Sequence, residues 1–203
     1  MEFNWYTTLS SEIPISQGDI ILKCILPGTV YDKENKKKGF FKQQGAILDV
    51  IVMTQACDLE NSKVDYVTLC PLKPLREVVK EMLLKIYSTG ENHQKVLDGD
   101  IKGRIKDNKV KIINELRNGS YLDFHVLNKF DKSEDVEELD YMVVLLRQSY
   151  TLPIESLQAQ LEANNKGRIS LLPPYREHLS QAYARNFFRI GLPIDIRIDH
   201  TEV

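Results

Sequence analysis

The sequence predicts an α+β fold, because stretches with strand periodicity and stretches with helical periodicity occur in separate runs. Short apolar runs rich in β-branched residues occupy the first third of the chain. The spacing of apolar residues changes to steps of three and four at Pro74 and returns to strand alternation at Tyr121. A doubly wound parallel sheet would instead alternate strand and helix regularly. With 203 residues and no internal repeat, the chain is expected to form a single domain, residues 1–203.

Composition places the chain among folded globular domains. It is 42% hydrophobic, 28% charged and 8% aromatic, which excludes disorder as the global state. The 27 lysine and arginine residues are balanced by 29 aspartate and glutamate residues, which gives a net charge of -2. This balance excludes a generally basic surface for nucleic acid and leaves only local basic patches.

Cysteine usage and the N-terminal residues predict a reduced, cytoplasmic protein. Cys24, Cys57 and Cys70 are an odd number at wide spacings, which is not the pattern of a disulfide framework. The first residues lack the basic and apolar regions of a signal peptide. No run reaches the roughly 18 apolar residues that a membrane-spanning helix needs, so we expect no membrane partner.

Three candidate strands form the expected core of the sheet, residues 17–73. The first, residues 19–26, is an apolar run between two glycine-containing turns. The second, residues 46–54, is an almost uninterrupted apolar run, which is typical of a strand covered on both faces. The third, residues 64–70, ends at a proline. Between the first two, the charged residues 32–39 predict an exposed hairpin tip, with an RNA contact of its lysines as the alternative.

Residues 74–120 are predicted to be a helical insertion outside the sheet. An amphipathic helix should run from Pro74 to about Ser88, because its apolar side chains recur at steps of three and four. The polar residues 89–108 are expected to form a loop. A short helix containing residues 110–116 should follow and end at Asn118 and Gly119.

Residues 121–203 are expected to add further strands and a C-terminal helix. Strands are predicted at residues 121–127, 141–146 and 194–198 from their alternation and apolar content. In the first of these, alternation places His125 on the solvent face. A helix is predicted over residues 151–164, and the longest regular helix should lie between Pro174 and Gly191.

Residues 133–140 form an acidic stretch, for which we expect a mobile loop, with an interaction site as the alternative. Its carboxylates are Glu134, Asp135, Glu137, Glu138 and Asp140. Little burial opposes local opening in a polar segment, so we expect flexibility and proteolysis at 131–140 and 89–108.

The motifs of common cofactor sites are missing from the sequence, which predicts no cofactor and no metal. The four histidines and three cysteines are scattered, without a CxxC, HxH or HExxH pair. No GxGxxG or GxxxxGK[ST] loop follows a strand, so the sequence does not predict a nucleotide-binding loop.

The most site-like segment follows the second strand and contains Thr54, Gln55, Cys57 and Asp58. Asp58 would raise the pKa of a neighbouring thiol, so a nucleophilic Cys57 would need a histidine or a helix N-terminus from elsewhere. A buried, inert Cys57 is the preferred interpretation. Asp58 could instead accept hydrogen bonds within its own turn.

A second polar group opens the long helix and contains Tyr175, Arg176, Glu177 and Arg185. Arg176 lies near a helix N-terminus, where it could help to hold a carboxylate or a phosphate. The preferred alternative is a network of these side chains packed on Asp58, with Arg176 or Arg185 neutralising it. Neither interpretation supplies an acid and base pair.

Three short segments of the N-terminal part resemble the MazF/PemK toxin family. They are Gln-Gly-Asp-Ile at residues 17–20, Val-Ile-Val-Met-Thr at 50–54, and Val-Thr-Leu-Cys-Pro-Leu at 67–72. The resemblance covers roughly residues 17–73. It implies a small, curved, antiparallel SH3-like β-barrel, whose loops grip single-stranded RNA in the active members of the family.

The chain departs from this family at the positions that cut RNA. Leu48 and Asp49 stand where the family has its catalytic arginine and a proline, and Lys73 stands where it has its catalytic threonine. Leucine cannot stabilise the charge that builds on the transferring phosphate, and an aspartate repels RNA. The chain looks like a regulatory relative of the CalpT-like anti-sigma proteins, which occur in CRISPR operons with a Lon-type protease.

The resemblance and its departures together predict a non-catalytic, protein-binding regulatory module of a prokaryotic antiviral defence or toxin-antitoxin type system. The implied partner is a protein, such as a sigma factor that the module sequesters or a protease that releases it. The alternative is a metal-independent, MazF-like endoribonuclease that cuts single-stranded RNA.

Overall fold

The computed structural model describes residues 4–31, 41–131, 136–164 and 167–187, and in this part of the chain the fold is α+β, as predicted. The strands are β1 Tyr6–Leu9, β2 Asp19–Tyr31, β3 Phe41–Val52, β4 Tyr66–Pro74, β5 Phe124–Leu127, β6 Met142–Leu145, β7 Tyr150–Pro153 and β8 Arg168–Leu171. The helices are α1 Ala56–Glu60, α2 Leu75–Ile86, α3 Glu91–Asp98, α4 Arg104–Arg117, α5 Ile154–Asn164 and α6 Tyr175–Phe187.

The strands form one antiparallel sheet in the order β1-β8-β2-β3-β4-β6-β5, with β7 beside β4. Within the described residues this sheet is open, with β1 and β5 at its two ends. The prediction that the first three candidate strands share one antiparallel sheet is confirmed, since β3 pairs with both β2 and β4.

Apolar side chains cover both faces of the sheet. On one face, Ile20 and Ile51 pack with Leu179 of α6 and with Leu139. On the opposite face, residues of β2, β3 and β4 pack against α5. A third cluster lies between β5, β6 and the helices α2 to α4. Helices α2 to α6 therefore bury apolar side chains against the sheet or against another helix, whereas the short α1 buries none.

The predicted helical character of residues 74–120 is confirmed, since this segment contains α2, α3 and α4, but its middle differs from the prediction. Helix α2 matches the predicted amphipathic helix and buries Val79 and Leu83. The polar segment predicted as the loop 89–108 contains α3, which buries Val96, and the first turn of α4. One buried side chain in eight residues is too weak a periodicity to predict a helix. This burial also argues against residues 91–98 as an open, protease-sensitive loop.

The strands β1 and β8 were not predicted, and the first residues of the helix predicted at 151–164 form β7. Several other predictions lie outside the described residues. These are the hairpin tip 32–39, the final strand 194–198, the helix end at Gly191, and Glu134 and Asp135 of the acidic stretch.

β2 and β3 continue past the rest of the sheet as a two-stranded hairpin, which we call the arm, residues 25–31 and 41–47. β8 pairs with β2 only at Asp19 and Ile20, and β4 pairs with β3 only over residues 50–52. Beyond these positions, β2 and β3 pair with each other from Ile25 opposite Ile47 to Tyr31 opposite Phe41.

A bulge at Lys23 marks the base of the arm. Lys23 has a φ of 55°, and its backbone N–H donates to the Asp49 carboxylate at 2.8 Å. At the next position, the Gln160 side chain of α5 accepts from the Ile25 N–H at 2.8 Å and donates to the Ile25 carbonyl at 3.1 Å. Gln160 therefore satisfies the two backbone groups that a neighbouring strand would otherwise pair.

His125 was predicted on a solvent face, and this prediction is wrong. It lies in β5 on the same side as Leu127, which packs in the cluster that contains Leu179 of α6. The side chain is half-buried, and desolvation, together with the nearby charge of His178, lowers the pKa of His125 to about 4. Alternation identified the two faces of the strand correctly, but it could not show that α6 covers the second face.

Candidate functional site

The polar turn after β3 begins with Thr54 and is fixed by backbone contacts. The Thr54 hydroxyl oxygen accepts from the Thr68 N–H of β4 at 2.7 Å. Gln55 is the N-cap residue of the short helix α1 but makes no side-chain capping bond. Thr54 therefore joins two strands, and its hydroxyl is already used in the structure.

Cys57 is exposed, so the prediction that it is buried is wrong. Its position on a five-residue helix at the sheet edge leaves the thiol in solvent. The Cys57 sulfur lies 3.7 Å from Gln55 Oε1 and 3.8 Å from Asp58 Oδ1. Both neighbours are oxygen acceptors and neither is a histidine or a positive group that would stabilise a thiolate, so these contacts do not activate the thiol.

Asp58 forms its ion pair with Lys63, at 3.9 Å, within the same turn. Arg176 instead donates to the Glu177 carboxylate at 3.0 Å. Among the described ion pairs, neither Arg176 nor Arg185 is a partner of Asp58, so the predicted neutralisation of Asp58 by an arginine is wrong. Asp58 and Arg176 each pair with an opposite charge that is close by in sequence, Lys63 and Glu177 respectively. The hydrogen bond to Glu177 also occupies the guanidinium of Arg176, which the sequence suggested could hold a carboxylate or a phosphate.

Gln17 provides the contact between the two polar segments, which sequence reasoning missed. Its side-chain amide donates to the Met53 carbonyl at 3.2 Å and to the Ser180 hydroxyl of α6 at 3.0 Å. Tyr175, at the start of α6, stacks on Trp5 with ring centroids 3.7 Å apart. The beginning of α6 is therefore attached to the end of β3 and to the N-terminal segment by neutral groups.

The three positions where the resembled family cuts RNA have structural contacts in this chain. Leu48 packs against the apolar cluster under α5. Asp49 accepts the backbone N–H of the bulge residue Lys23. Lys73 forms an ion pair with Glu81 of α2. Leu48 carries no exchangeable proton, and the charged groups of Asp49 and Lys73 are both engaged in contacts within the fold.

A buried ion pair between Asp19 and Arg168 was also missed. Asp19 is 0% and Arg168 is 2% exposed, and Arg168 Nε donates to Asp19 Oδ2 at 2.7 Å. The other guanidinium nitrogens of Arg168 donate to the carbonyls of Ser10, Ile13 and Pro14 at 2.8–2.9 Å. This pair connects β2, β8 and the segment after β1, which is a structural role.

A surface cleft of about 530 Å³ lies between β4, β7 and α6. Its polar lining includes Thr68, Ser149, Thr151 and Asn186, and the Ser149 and Tyr183 hydroxyl oxygens are 3.0 Å apart. No carboxylate, histidine or cysteine is among its described lining residues. The cleft can form hydrogen bonds but does not present an acid and base pair.

The remaining cysteines and candidate metal ligands do not form a reactive centre in the described residues. Burial raises the pKa of both Cys24 and Cys70 to about 11, so both thiols stay protonated near neutral pH. No group of three or more metal-binding side chains comes together in this part of the chain. No helix among the described residues has the length and apolar content required to cross a membrane.

The arm presents the most exposed apolar surface near these elements. On one side, Leu26 is buried against the core, while Val30, farther out on the same side, is 50% exposed. On the other, Ile25 is 56%, Tyr31 52%, Phe41 63% and Ile47 67% exposed. Exposed apolar side chains gathered on one face are typical of binding surfaces rather than of catalytic centres.

Comparison with protein-family models, with curated proteins and with solved structures finds no match to this chain.

Proposed function

We propose that this chain is a non-catalytic, protein-binding regulatory module of the MazF/PemK type. The observation that carries the proposal is the use of Leu48, Asp49 and Lys73 in packing, in a backbone hydrogen bond and in an ion pair. Side chains occupied in this way do not supply the general acid and base of RNA cleavage. The exposed apolar arm supplies a binding surface instead.

An SH3-like barrel arrangement of the sheet is part of the same proposal. Three successive antiparallel strands, β2 to β4, support it, as does the bulge at Lys23, because bulges bend strands and increase their twist. The additional helices α2 to α4 would then be an elaboration on one end of the barrel.

The proposed partner is a protein in the cytoplasm of a prokaryotic cell, such as a sigma factor held inactive by this chain or a Lon-type protease that releases it. The setting would be a CRISPR-associated or toxin-antitoxin type system. The direct experiment is a binding titration between the purified chain and the sigma factors of its own cell. Saturable, stoichiometric binding of one sigma factor supports sequestration, and no binding to any of them contradicts it.

The first prediction from this proposal is that the chain does not cut RNA. A mixed-sequence, single-stranded fluorogenic RNA incubated with the purified chain without metal should stay intact, because positions 48, 49 and 73 lack the required groups. Cleavage at the rate of a MazF toxin would favour the endoribonuclease alternative. An Asp49→Asn and Lys73→Met variant separates activity at these positions from contamination, since a contaminating nuclease would be unaffected by both substitutions.

The second prediction is that the acidic stretch, residues 133–140, attracts a basic partner electrostatically and so speeds its association. Glu137 and Glu138 are exposed beside the base of the arm, and Glu137 contacts Lys23 at 3.8 Å. Replacing the five carboxylates of residues 134–140 by amides should slow association with a basic partner several-fold at low salt and flatten its salt dependence. Stopped-flow association kinetics measure both effects. An unchanged rate at low salt would exclude steering.

A further inference from the structure

The backbone groups of β3 point alternately to the two strands beside it. The Val52 carbonyl accepts from the Gly18 N–H, next to β2, at 2.9 Å. The following residue, Met53, donates its N–H to the Thr68 carbonyl of β4 at 2.8 Å. Successive residues of a strand in an antiparallel sheet direct their N–H and C=O groups to opposite edges. Even-numbered residues of β3 therefore bond towards β2, and odd-numbered residues bond towards β4.

The edge of β3 that faces β4 continues into the arm without a neighbouring strand. The bulge adds its extra residue to β2, so the alternation along β3 continues unbroken into the arm. β4 pairs with β3 only over residues 50–52, and no other described strand pairs with residues 41–47 on this side. The odd-numbered residues there, Phe41, Gln43, Gly45 and Ile47, are all exposed. Their N–H and C=O groups form an open strand edge about 20 Å long, which we call the β3 edge.

The opposite edge of the arm, along β2, is closed where it leaves the sheet. Ile25 lies directly opposite Ile47, so its backbone groups also point outwards. Gln160 of α5 already pairs with both of them. Two residues farther out, Pro27 has no N–H, which is tolerated because this position also points outwards. The two edges of the arm therefore differ, since β2 offers a filled position and a proline, whereas the β3 edge offers neither.

The side chains beside the β3 edge indicate which sequence would fit there. Phe41 and Ile47 project from the same face of the arm and are 63% and 67% exposed. Lys42, which projects from the other face, is the only charged residue in the described arm. Side chains of an added strand would alternate between these two faces. An extended segment that alternates apolar residues with polar or acidic ones is complementary to both.

We propose that the β3 edge binds an extended segment of a partner protein, which adds to the sheet as a further strand. The segment takes over the edge where β4 leaves it and bonds to the backbone of residues 41–47. Its apolar side chains pack on Phe41 and Ile47, and its acidic side chains lie on the face of Lys42. The proposal rests on the proposed function, since it names the part of a partner protein that the arm takes. Because the edge is short, the binding should be weak and reversible, with a dissociation constant of about 10–500 µM.

A synthetic peptide tests the proposal with the full chain. The probe is a fluorescein-labelled peptide of about eight residues that alternates valine with threonine or glutamate, and fluorescence anisotropy measures its binding. It should bind saturably within the range given. The control peptide has the same side chains but carries N-methyl groups on its central backbone amides, which removes the donors of strand pairing, so it should bind at least about tenfold more weakly. No saturation by the unmodified peptide up to about 1 mM, or equal binding of both peptides, would overturn the proposal.

Two proline variants distinguish the β3 edge from the rest of the arm. Gln43 and Thr29 lie directly opposite each other, and both direct their N–H groups outwards, one on β3 and the other on β2. Neither N–H takes part in pairing between the two strands, so either proline should leave the fold intact, which circular dichroism checks. Gln43→Pro should weaken peptide binding at least about fivefold, because one hydrogen bond is lost and the ring blocks close approach. Thr29→Pro is the matched control and should bind the peptide like the original chain. Equal binding by the two variants would contradict the proposal.

Amide hydrogen exchange followed by NMR tests the geometry residue by residue. In the free chain, the N–H groups of Gln43, Gly45 and Ile47 should exchange faster than those of Gln44 and Ala46, which bond to β2. Saturating peptide should slow the first group and leave the second unchanged. A second copy of the chain as the occupant would instead appear as concentration-dependent protection without peptide, and would overturn the proposal. The sigma-factor titration uses the whole partner, so it can succeed when the peptide fails and fail when the peptide binds, and the two proposals remain distinguishable.

Discussion

Replacing Asp19 by alanine should lower the free energy of unfolding by about 3–5 kcal/mol, because it leaves the guanidinium of Arg168 buried without its counter-charge. Asp19 Oδ2 accepts from Arg168 at 2.7 Å and from the Ser16 N–H at 2.9 Å. Both side chains are almost fully buried, so water cannot replace the lost partner without opening the structure. Urea denaturation followed by circular dichroism measures the change.

The matched control is Asp58→Ala, which removes a carboxylate whose ion pair with Lys63 is exposed. Exposed pairs contribute less than about 1 kcal/mol, so this variant should unfold close to the original chain. The side chains of Asp58 and Lys63 are 36% and 60% exposed, which allows water to solvate whichever partner remains. Equal losses in the two variants would show that the Asp19 pair is not specially stabilising.

Acidification from about pH 6.5 to about pH 4 should destabilise the fold through His125. The unfolded chain protonates this imidazole near its ordinary pKa of 6.5, whereas the folded chain holds the pKa at about 4. Between these values the unfolded state binds more protons, so stability falls as the pH falls and this contribution is fully lost below pH 4. A shift of this size corresponds to at most about 3 kcal/mol.

Two variants isolate this contribution. His125→Gln removes the titrating group, so the difference in unfolding free energy between the original chain and the variant should change with pH in the window described. His178→Gln removes the second cause of the lowered pKa, so the transition should move part of the way back towards pH 6.5. Parallel stability profiles for the original chain and His125→Gln would contradict the prediction.

The spacing of apolar residues correctly predicted the strands and the helix whose buried side chains recur at a regular period. The apolar runs of β2, β3 and β4 and the stripe of α2 identified these elements, because burial imposes a period of two or 3.6 on the sequence itself. β8 was missed because its four residues begin with Arg168. A charged residue such as Arg168 can be buried in a strand only because it pairs with Asp19, and this partner is 149 residues away in sequence.

The candidate site was predicted less well, since pairings between distant side chains have no local signal. The sequence correctly singled out the turn after β3 and the start of α6 as polar. It could not show that Asp58 pairs with Lys63 and that Arg176 pairs with Glu177, in place of the expected pair between Asp58 and an arginine of α6. The actual link, Gln17, is a single neutral residue beside a turn, and an aligned set of related sequences would be the natural place to detect it.

The side-chain amide of Gln160 has a consequence for how the chain behaves in concentrated solution. By pairing with both backbone groups of Ile25, it occupies the position at which a strand from another molecule would add to the edge of β2. Ile25 itself and, farther along β2, Val30 and Tyr31 are apolar and well exposed, which is the composition that lets uncovered strand edges stack into fibres. We therefore expect Gln160 to block the addition of a strand from another molecule at this edge. Truncating Gln160 to alanine should shorten the lag time of fibril formation while leaving the folded core almost unchanged.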